Sequence, residues 1–252
     1  MGPIVTLMPK NRSSLLNSRA TLKRRPTPHS VVSWFGSCLF AVVYVAARPL
    51  CHHRTILNLI RRIASHIQRG TATWFSSWPV TPSESAAIDS LTETSADASK
   101  HYYPPSPSAG MEVWTDASLW GLGCILEWRS KQGIHTDTAA YPCLNMKAED
   151  IYVAEMLAGL WGMTWAASRG HPTDIWFTDN AAAAMSVSKG HSTTAFGDEI
   201  LCNLWNAGAW PRSIALVPSA CQRADALSRG SFTVPTQCKC THVAWAPRAG
   251  YT

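Results

Sequence analysis

The order of the secondary-structure patterns from residue 111 onward constrains the fold of this chain most. Two or three strand patterns come first, over residues 112–116, 121–128 and 139–143. Helical patterns then alternate with single short apolar strands. Hairpin-connected strands followed by alternating helices and strands favour an α/β layer architecture.

The later patterns set the remaining elements. Helices are predicted over residues 146–168, 180–189 and 198–205, and strands over 174–179 and 213–217. Gly190 fits the C-terminal stop of the second of these helices, because glycine adopts the left-handed conformation that often ends a helix. The apolar residues of the long helix include Ile151, Leu157, Trp161 and Trp165.

Composition excludes several protein classes. The chain has 252 residues, of which 46% are hydrophobic and 15% charged, so neither a wholly disordered chain nor a coiled coil fits. Eight cysteines are too sparse for a disulfide scaffold. Reduced thiols predict an intracellular protein, of the cytoplasm or nucleus, rather than a secreted one.

Charge is distributed unevenly along the chain. Residues 1–70 contain eleven Lys or Arg and no acid, residues 71–110 have a net charge of −3, and residues 111–252 have a net charge of −2. A basic N-terminal part suits a polyanion or a membrane surface, and a mildly acidic C-terminal part suits cations.

These shifts in composition predict four regions. They are a basic helical segment over 1–75, a Pro- and Ser-rich linker over 76–110, a domain over 111–230 and a tail over 231–252. Within the first region, apolar residues at helical spacing predict a helix over 54–69.

Residues 31–47 form a run of 17 residues without charge. This length is the lower limit for a membrane span and is also ordinary for a buried helix. The buried helix is the preferred interpretation and no membrane partner is expected. A membrane-anchored protein is the open alternative.

Four acidic residues stand at chemically suggestive places. Asp116 and Asp179 end strands, Glu155 lies within the long helix, and Asp225 follows the last strand. Carboxylates held close together repel one another, and divalent cations remove that cost. Oxygen ligands suit Mg²⁺ or Mn²⁺, and two such ions about 4 Å apart can cleave a phosphodiester.

Each acid also has an ordinary structural interpretation. An Asp at a strand end is often the N-cap of the next helix, as Asp179 could be, and a Glu in a helix is usually solvated. Gly159 and Gly162 lie four and seven residues after Glu155, so its helix face is open to close approach by another element.

The motifs around the acids carry a family resemblance. They are Asp116-Ala117-Ser118, Gly121-Leu122-Gly123, Thr178-Asp179-Asn180 and Ala224-Asp225-Ala226-Leu227-Ser228-Arg229. Together with Glu155 in a helix, this order resembles the ribonuclease H domain of retroelement reverse transcriptases, over residues 111–230. The last motif is similar to the form seen in Gypsy-like elements and in tyrosine-recombinase elements of the DIRS and VIPER type.

The resemblance implies a ribonuclease H-like mixed sheet flanked by helices and preceded by a mainly helical segment. It implies a two-metal endonuclease that cuts the RNA strand of RNA–DNA hybrids, with two Mg²⁺ or Mn²⁺ ions. Asp116 would bridge both ions, Asp225 would help to hold the ion that activates water, and Glu155 and Asp179 would hold the ion near the leaving 3′ oxygen.

Substrate contacts are implied for Ser118, Asn180 and Arg229, although Ser118 and Asn180 could equally be turn or cap residues. Two positions depart from the family pattern. The family usually has Asn where this chain has Gln222, and often Asn where it has Tyr152. These departures concern the surroundings of the carboxylates rather than the carboxylates themselves.

A weaker resemblance covers the N-terminal part. Residues 5–10 and the helical patterns of 31–69 look like the thumb or connection that follows a reverse transcriptase palm. The sequence contains no Tyr-x-Asp-Asp or Phe-x-Asp-Asp motif, so the chain resembles the C-terminal piece of a reverse transcriptase that cannot polymerise by itself. The polymerase part of such an enzyme is then a candidate partner. The alternative function is a catalytically inactive retroelement remnant that binds nucleic acid.

Overall fold

A computed structural model describes residues 4–46, 48–101, 110–143, 146–231 and 243–245. The chain forms two compact units, Met1–Pro104 and Pro105–Thr252. Each unit has its own hydrophobic core. Most of the predicted tail over 231–252 lies outside the described residues.

The first unit is mainly helical, as expected. Its helices are α1 (Pro9–Arg24), α2 (Pro28–Leu39), α3 (Arg54–Gln68) and α4 (Pro82–Ala96). A π-helical turn (Phe40–Val45) continues α2, and a 3-10 turn (Leu50–His53) precedes α3. Two short strands, β1 (Ile4–Thr6) and β2 (Ser99–His101), pair antiparallel.

Residues 31–45 of the uncharged run pack as helix within this unit. Val31, Trp34, Cys38 and Val42 are buried in its core. The Trp34 indole N–H donates to the Thr92 hydroxyl at 3.1 Å, which satisfies the one polar atom of the buried ring. Among the residues that the structure describes, no helix combines the length and the apolar character that crossing a membrane requires.

The predicted linker over 76–110 is corrected in its central part, because residues 82–96 form α4. The Thr81 hydroxyl accepts from the Glu84 N–H, and the Glu84 carboxylate accepts from the Thr81 N–H. Pro82 occupies the first helical position, where its missing N–H costs nothing. The Thr, Pro and Ser residues at 81–83, which suggested a linker, therefore mark the start of a helix. Ile88 and Leu91 of this helix are buried in the core.

Thr81→Ala is expected to destabilise the first unit by about 1 kcal/mol, because it removes the acceptor for a helix N–H. Thermal or urea unfolding measures the loss. Ser90→Ala, at an exposed position inside the same helix, is the matched control and should be close to neutral. An equal effect of both substitutions would contradict a specific role for the cap.

Acidic residues of α4 and its flanks neutralise part of the basic N-terminal region. The ion pairs are Arg12–Asp97, Arg19–Asp89, Lys23–Asp89 and Arg62–Glu84. The expectation that the basic region suits a polyanion therefore does not extend to all of its cations. Arg62, for example, contacts both oxygens of Glu84, at 2.8 and 2.9 Å.

The second unit contains a six-stranded mixed sheet. Its strands are β3 (Met111–Ala117), β4 (Gly121–Ser130), β5 (Gly133–Pro142), β6 (Thr173–Thr178), β7 (Ser213–Leu216) and β8 (Val243–Trp245). The order across the sheet is β5-β4-β3-β6-β7-β8. β3, β4 and β5 are antiparallel neighbours, β6 and β7 run parallel to β3, and β8 is antiparallel to β7. The α/β fold class with a mixed sheet is confirmed.

Helices α5 (Ile151–Ser168), α6 (Ala181–Lys189), α7 (Ala195–Asn206) and the short α8 (Asp225–Ser228) accompany the sheet. α6 ends at Gly190, which has a φ of 69°, as predicted. β5 is longer than the predicted strand over 139–143, because the hairpin with β4 continues from Pro142 back to a turn at Ser130 and Gly133.

The face of α5 that packs on the sheet is not formed by its largest apolar side chains. The residues Ile151, Leu157, Trp161 and Trp165 are only half-buried, whereas the buried face consists mostly of small residues. A Cβ on Gly159 would lie 2.8 Å from Trp176, and a Cβ on Gly162 would lie 2.6 Å from Thr115. Close approach of the helix to the sheet therefore decides which face is buried, and the expected role of the two glycines is confirmed.

Candidate active site

Two of the predicted acids meet at one edge of the sheet because of strand register. β3 and β6 are parallel neighbours, and Trp114 pairs with Phe177. Asp116 and Asp179 each follow two residues later, so they lie side by side where the two strands end. Asp179 is not the N-cap of α6, since Asn180 holds that position.

Glu155 reaches this edge from α5. Its side chain is buried, with 3% exposure, and Oε1 accepts from the Ala117 N–H at 3.3 Å. The solvated-helix interpretation of Glu155 is therefore wrong. Carboxylate oxygens of Asp116, Glu155 and Asp179 lie within 4.8 Å of one another. This spacing allows a single cation to contact all three groups.

Asp225 stands on the wall of the same cleft. The cleft is open and has a volume of about 460 Å³, with Asp116, Glu155, Asp179 and Asp225 in its lining. Asp225 Oδ1 accepts from Arg229 Nε at 2.8 Å, in an exposed ion pair. The structure thus gathers three of the four predicted acids closely and places the fourth beside them, engaged with a cation of its own helix.

Burial dominates the electrostatics of the two inner acids. Burial raises the pKa of Glu155 to about 9, and the charges of Asp116 and Asp179 add to this effect. Burial raises the pKa of Asp116 to about 7, against the hydrogen bond from Ser228 and with support from the charges of Asp179 and Asp225.

These shifts have a definite sign for stability. Both pKa values lie above the ordinary values of 3.8 and 4.5, so the folded protein binds protons that the unfolded chain releases. Without a cation, the free energy of unfolding falls as pH rises from the ordinary values to the raised ones, about 7 and 9. A bound divalent cation would favour the ionised carboxylates and oppose that loss.

One oxygen of the cluster fits a cation particularly well. Within the described part of the chain, Glu155 Oε2 is buried and has no hydrogen-bond partner. A buried polar atom without a partner is costly, and an oxygen-preferring cation would satisfy it. The donors Asp116, Glu155 and Asp179, with Asp225 nearby, are all carboxylates. This set suits Mg²⁺ or Mn²⁺ rather than a metal that selects nitrogen or sulfur.

Ser118 and Asn180 both line the cleft and also make the local contacts expected of turn and cap residues. The Ser118 hydroxyl donates to the Ser228 carbonyl at 2.7 Å and accepts from the Trp120 N–H at 3.1 Å. Asn180 Oδ1 accepts from the Ala183 N–H at 3.0 Å. Contact of either side chain with a substrate stays a prediction, as it does for Arg229.

Ser228 is a site residue that the sequence motif contained but the site prediction did not use. Its hydroxyl donates to Asp116 Oδ2 at 2.5 Å and thereby fixes the orientation of that carboxylate. Gln222 Nε2 donates to the Thr115 carbonyl at 3.0 Å, next to Asp116. Gln222, at the position where the family usually has Asn, thus anchors the last segment to the strand that carries Asp116.

Tyr152, the other departure from the family pattern, lies one turn before Glu155. Its hydroxyl is 2.8 Å from the hydroxyls of both Ser186 and Ser192. It therefore ties α5 to α6 and to the loop after α6.

Searches of protein-family models and of curated proteins find no match to this chain. Similar solved structures include the N-terminal RNase H domain of a Mycobacterium tuberculosis protein, fused to maltose-binding protein. It has 15% identity and a TM-score of 0.37, covering 49% of this chain and 94% of that one. The foamy viral protease-reverse transcriptase in complex with an RNA/DNA hybrid has 13% identity and a TM-score of 0.31, covering 93% of this chain and 29% of that one.

The same viral enzyme in complex with dsDNA also has 13% identity and a TM-score of 0.31, over 69% of this chain and 34% of that one. The chain thus spans about a third of the length of these viral enzymes. With TM-scores below 0.5, these similarities assign no family. The DIRS-, VIPER- or Gypsy-like subgroup and the thumb or connection identity of the first unit stay predictions.

Proposed function

We propose that this protein is a divalent-metal-dependent endonuclease that cleaves the RNA strand of RNA–DNA hybrids, as the ribonuclease H part of a retroelement reverse transcriptase. The observation that carries the proposal is the approach of Asp116, Glu155 and Asp179 to within 4.8 Å in an open cleft. Three carboxylates at one point repel one another when no cation is bound. A purely structural role would not need such a cluster, whereas a cation site does.

The residues of the chain take complementary parts in this reaction. Asp116, Glu155, Asp179 and Asp225 would hold two Mg²⁺ or Mn²⁺ ions. The ions, when bound, supply acidity to a water and stabilise negative charge on the leaving 3′ oxygen.

Two further contacts would position these ligands, and one residue would act on the substrate. Ser228 keeps the Asp116 carboxylate in one orientation through its 2.5 Å hydrogen bond. The Ala117 N–H holds one oxygen of Glu155, which leaves the other directed to a cation. Arg229 is mostly exposed at the cleft and would attract the phosphate of the RNA strand.

The decisive experiment uses the purified full chain with an end-labelled RNA–DNA hybrid and Mg²⁺. We expect cut RNA, intact DNA, and no products when EDTA replaces Mg²⁺. A protein that binds the hybrid but leaves its RNA intact would instead be the inactive nucleic-acid-binding remnant.

Mg²⁺ is expected to raise the melting temperature of the second unit. A ligand at a concentration of one hundred times its Kd adds about 2.7 kcal/mol to the free energy of unfolding. For a unit of this size, that corresponds to an increase of roughly 5–10 °C in melting temperature. Glu155→Gln should remove most of this increase while leaving the metal-free melting temperature equal or higher, because it replaces a buried carboxylate by a neutral amide.

Glu149→Gln is the matched control, since Glu149 is largely exposed and close in sequence to the start of α5. It should keep the full response to Mg²⁺. Calorimetry with Mg²⁺ and with EDTA measures all three proteins. An unchanged response in Glu155→Gln would exclude Glu155 as a ligand.

A further inference from the structure

Two large apolar side chains stand at the mouth of the cleft. Leu119 and Trp120 are 46% and 71% exposed, and both line the cleft together with the carboxylates. They occupy the turn from β3 to β4, three and four residues after Asp116. By contrast, Trp114 and Trp176 in the neighbouring strands are buried. The exposure of Trp120 is therefore not shared by these tryptophans of the sheet and belongs to the turn at the cleft.

The backbone that presents Trp120 is well held. The Ser118 N–H donates to the Gly121 carbonyl at 2.9 Å, and the Trp120 N–H donates to the Ser118 hydroxyl at 3.1 Å. The Cys143 N–H donates to the Trp120 carbonyl, also at 2.9 Å. The indole is thus exposed on a fixed turn, and little conformational entropy would be lost when a ligand packs against it.

The chemistry of a nucleic-acid strand suits this position. A strand whose phosphate sits at the carboxylates must pass the cleft wall with its neighbouring nucleotides. In a duplex the bases face the partner strand, so the C–H face of the sugar is the apolar surface that a strand offers outward. An indole ring can pack against such a face without a charge, which matters beside a cluster of acids that repels phosphate.

We propose that Trp120, supported by Leu119, is an apolar platform that packs against the sugar of the nucleotide next to the phosphate at the carboxylates. The identity of the ligand as an RNA–DNA hybrid rests on the proposed function. Trp120 acts as a positioning residue, because it contacts the strand beside the reacting phosphate. Since the contact is apolar, its contribution to binding is independent of salt, unlike contacts between cations and phosphate.

Hybrid binding by fluorescence anisotropy in Mg²⁺ tests this platform, with Asp116→Asn as the non-cutting parent. Adding Trp120→Ala should weaken the affinity roughly tenfold, or about 1.4 kcal/mol, and Trp120→Phe should retain most of it. The tenfold ratio should persist when salt is raised. Ile134→Ala is the matched control, because Ile134 is 60% exposed in β5 and does not line the cleft; it should bind like the parent.

The outcomes separate this inference from the proposed function. An affinity of Trp120→Ala within about twofold of its parent, with both proteins folded, would overturn the platform. If the wild type fails to cut the hybrid but Trp120→Ala still weakens binding, the platform stands and the nuclease proposal falls. If neither the wild type nor the parent binds the hybrid, both are wrong. Thermal unfolding of Trp120→Ala should be unchanged, since exposed positions contribute little to stability.

Discussion

Asp116→Asn is expected to lower the rate of hybrid cleavage by at least about 10³-fold, the scale of loss when a central catalytic group is removed. The amide keeps the shape of the carboxylate but loses its charge, so it would hold a divalent cation much more weakly. Initial rates of RNA cutting at saturating hybrid and Mg²⁺ measure the effect. The variant should fold, because burial already raises the pKa of Asp116 to about 7 and a neutral side chain suits that place.

Asp174→Asn provides the matched control for this experiment. Asp174 lies in β6 of the same sheet and pairs with Arg212 at 2.8 Å, in a partly exposed ion pair outside the cleft. Such a pair contributes at most about 1 kcal/mol, so cleavage should stay near the wild-type rate. Cleavage by Asp116→Asn within about tenfold of the control would rule out Asp116 as a metal ligand.

Gly162→Leu is expected to destabilise the second unit by about 3 kcal/mol, or roughly 6–12 °C in melting temperature. Even a single Cβ at this position would lie 2.6 Å from Thr115 and 2.9 Å from Cys124. α5 must therefore move away from β3, and Glu155 moves with it. A shift of about 1 Å can cost about a hundredfold in rate, so hybrid cleavage should fall together with stability.

Gly36→Leu is the matched control, because it makes the same substitution at a helical glycine that has open space beside it. Gly36 lies in α2, and a Cβ there would meet nothing within 4 Å. Replacing glycine in a helix then stabilises by about 0.5–1 kcal/mol, because the unfolded chain loses freedom. Calorimetry of the two variants should show opposite signs. A stable Gly162→Leu protein would contradict the close packing of α5 on the sheet.

The elements that sequence patterns predicted well share a physical property. Each of these elements is marked by its own residues, either through hydrophobic periodicity of 2 or 3.6 or through a short apolar run with clear ends. They are strands β3, β4, β6 and β7 and helix α3. α4 was mistaken for linker because its Ser and Thr content hides the cap at Thr81 and the apolar positions Ile88 and Leu91. The structural role of its acidic residues is visible only in their ion pairs with basic residues of α1 and α3.

The site shows the same division. Strand-end positions and helix spacing singled out Asp116, Asp179 and Glu155, and the family resemblance implied that they share metal ions. Their carboxylates lie within 4.8 Å. The pairing of Asp225 with Arg229 is local, since the two residues are four apart in the chain. The hydrogen bond from Ser228 to Asp116 depends on contact between segments 112 residues apart. No local pattern contains that information.

By itself, the sequence determined the class of the fold, the order of the main strands and helices between residues 111 and 217, and the acids that end two of those strands, because hydrophobic periodicity and turn chemistry are local properties. Only the tertiary structure decided which face of α5 is buried, which cations of the first unit are already neutralised, and that Trp120 stands exposed beside the carboxylates. Those outcomes depend on the distance between packed elements, and that distance is set by all the side chains at an interface together.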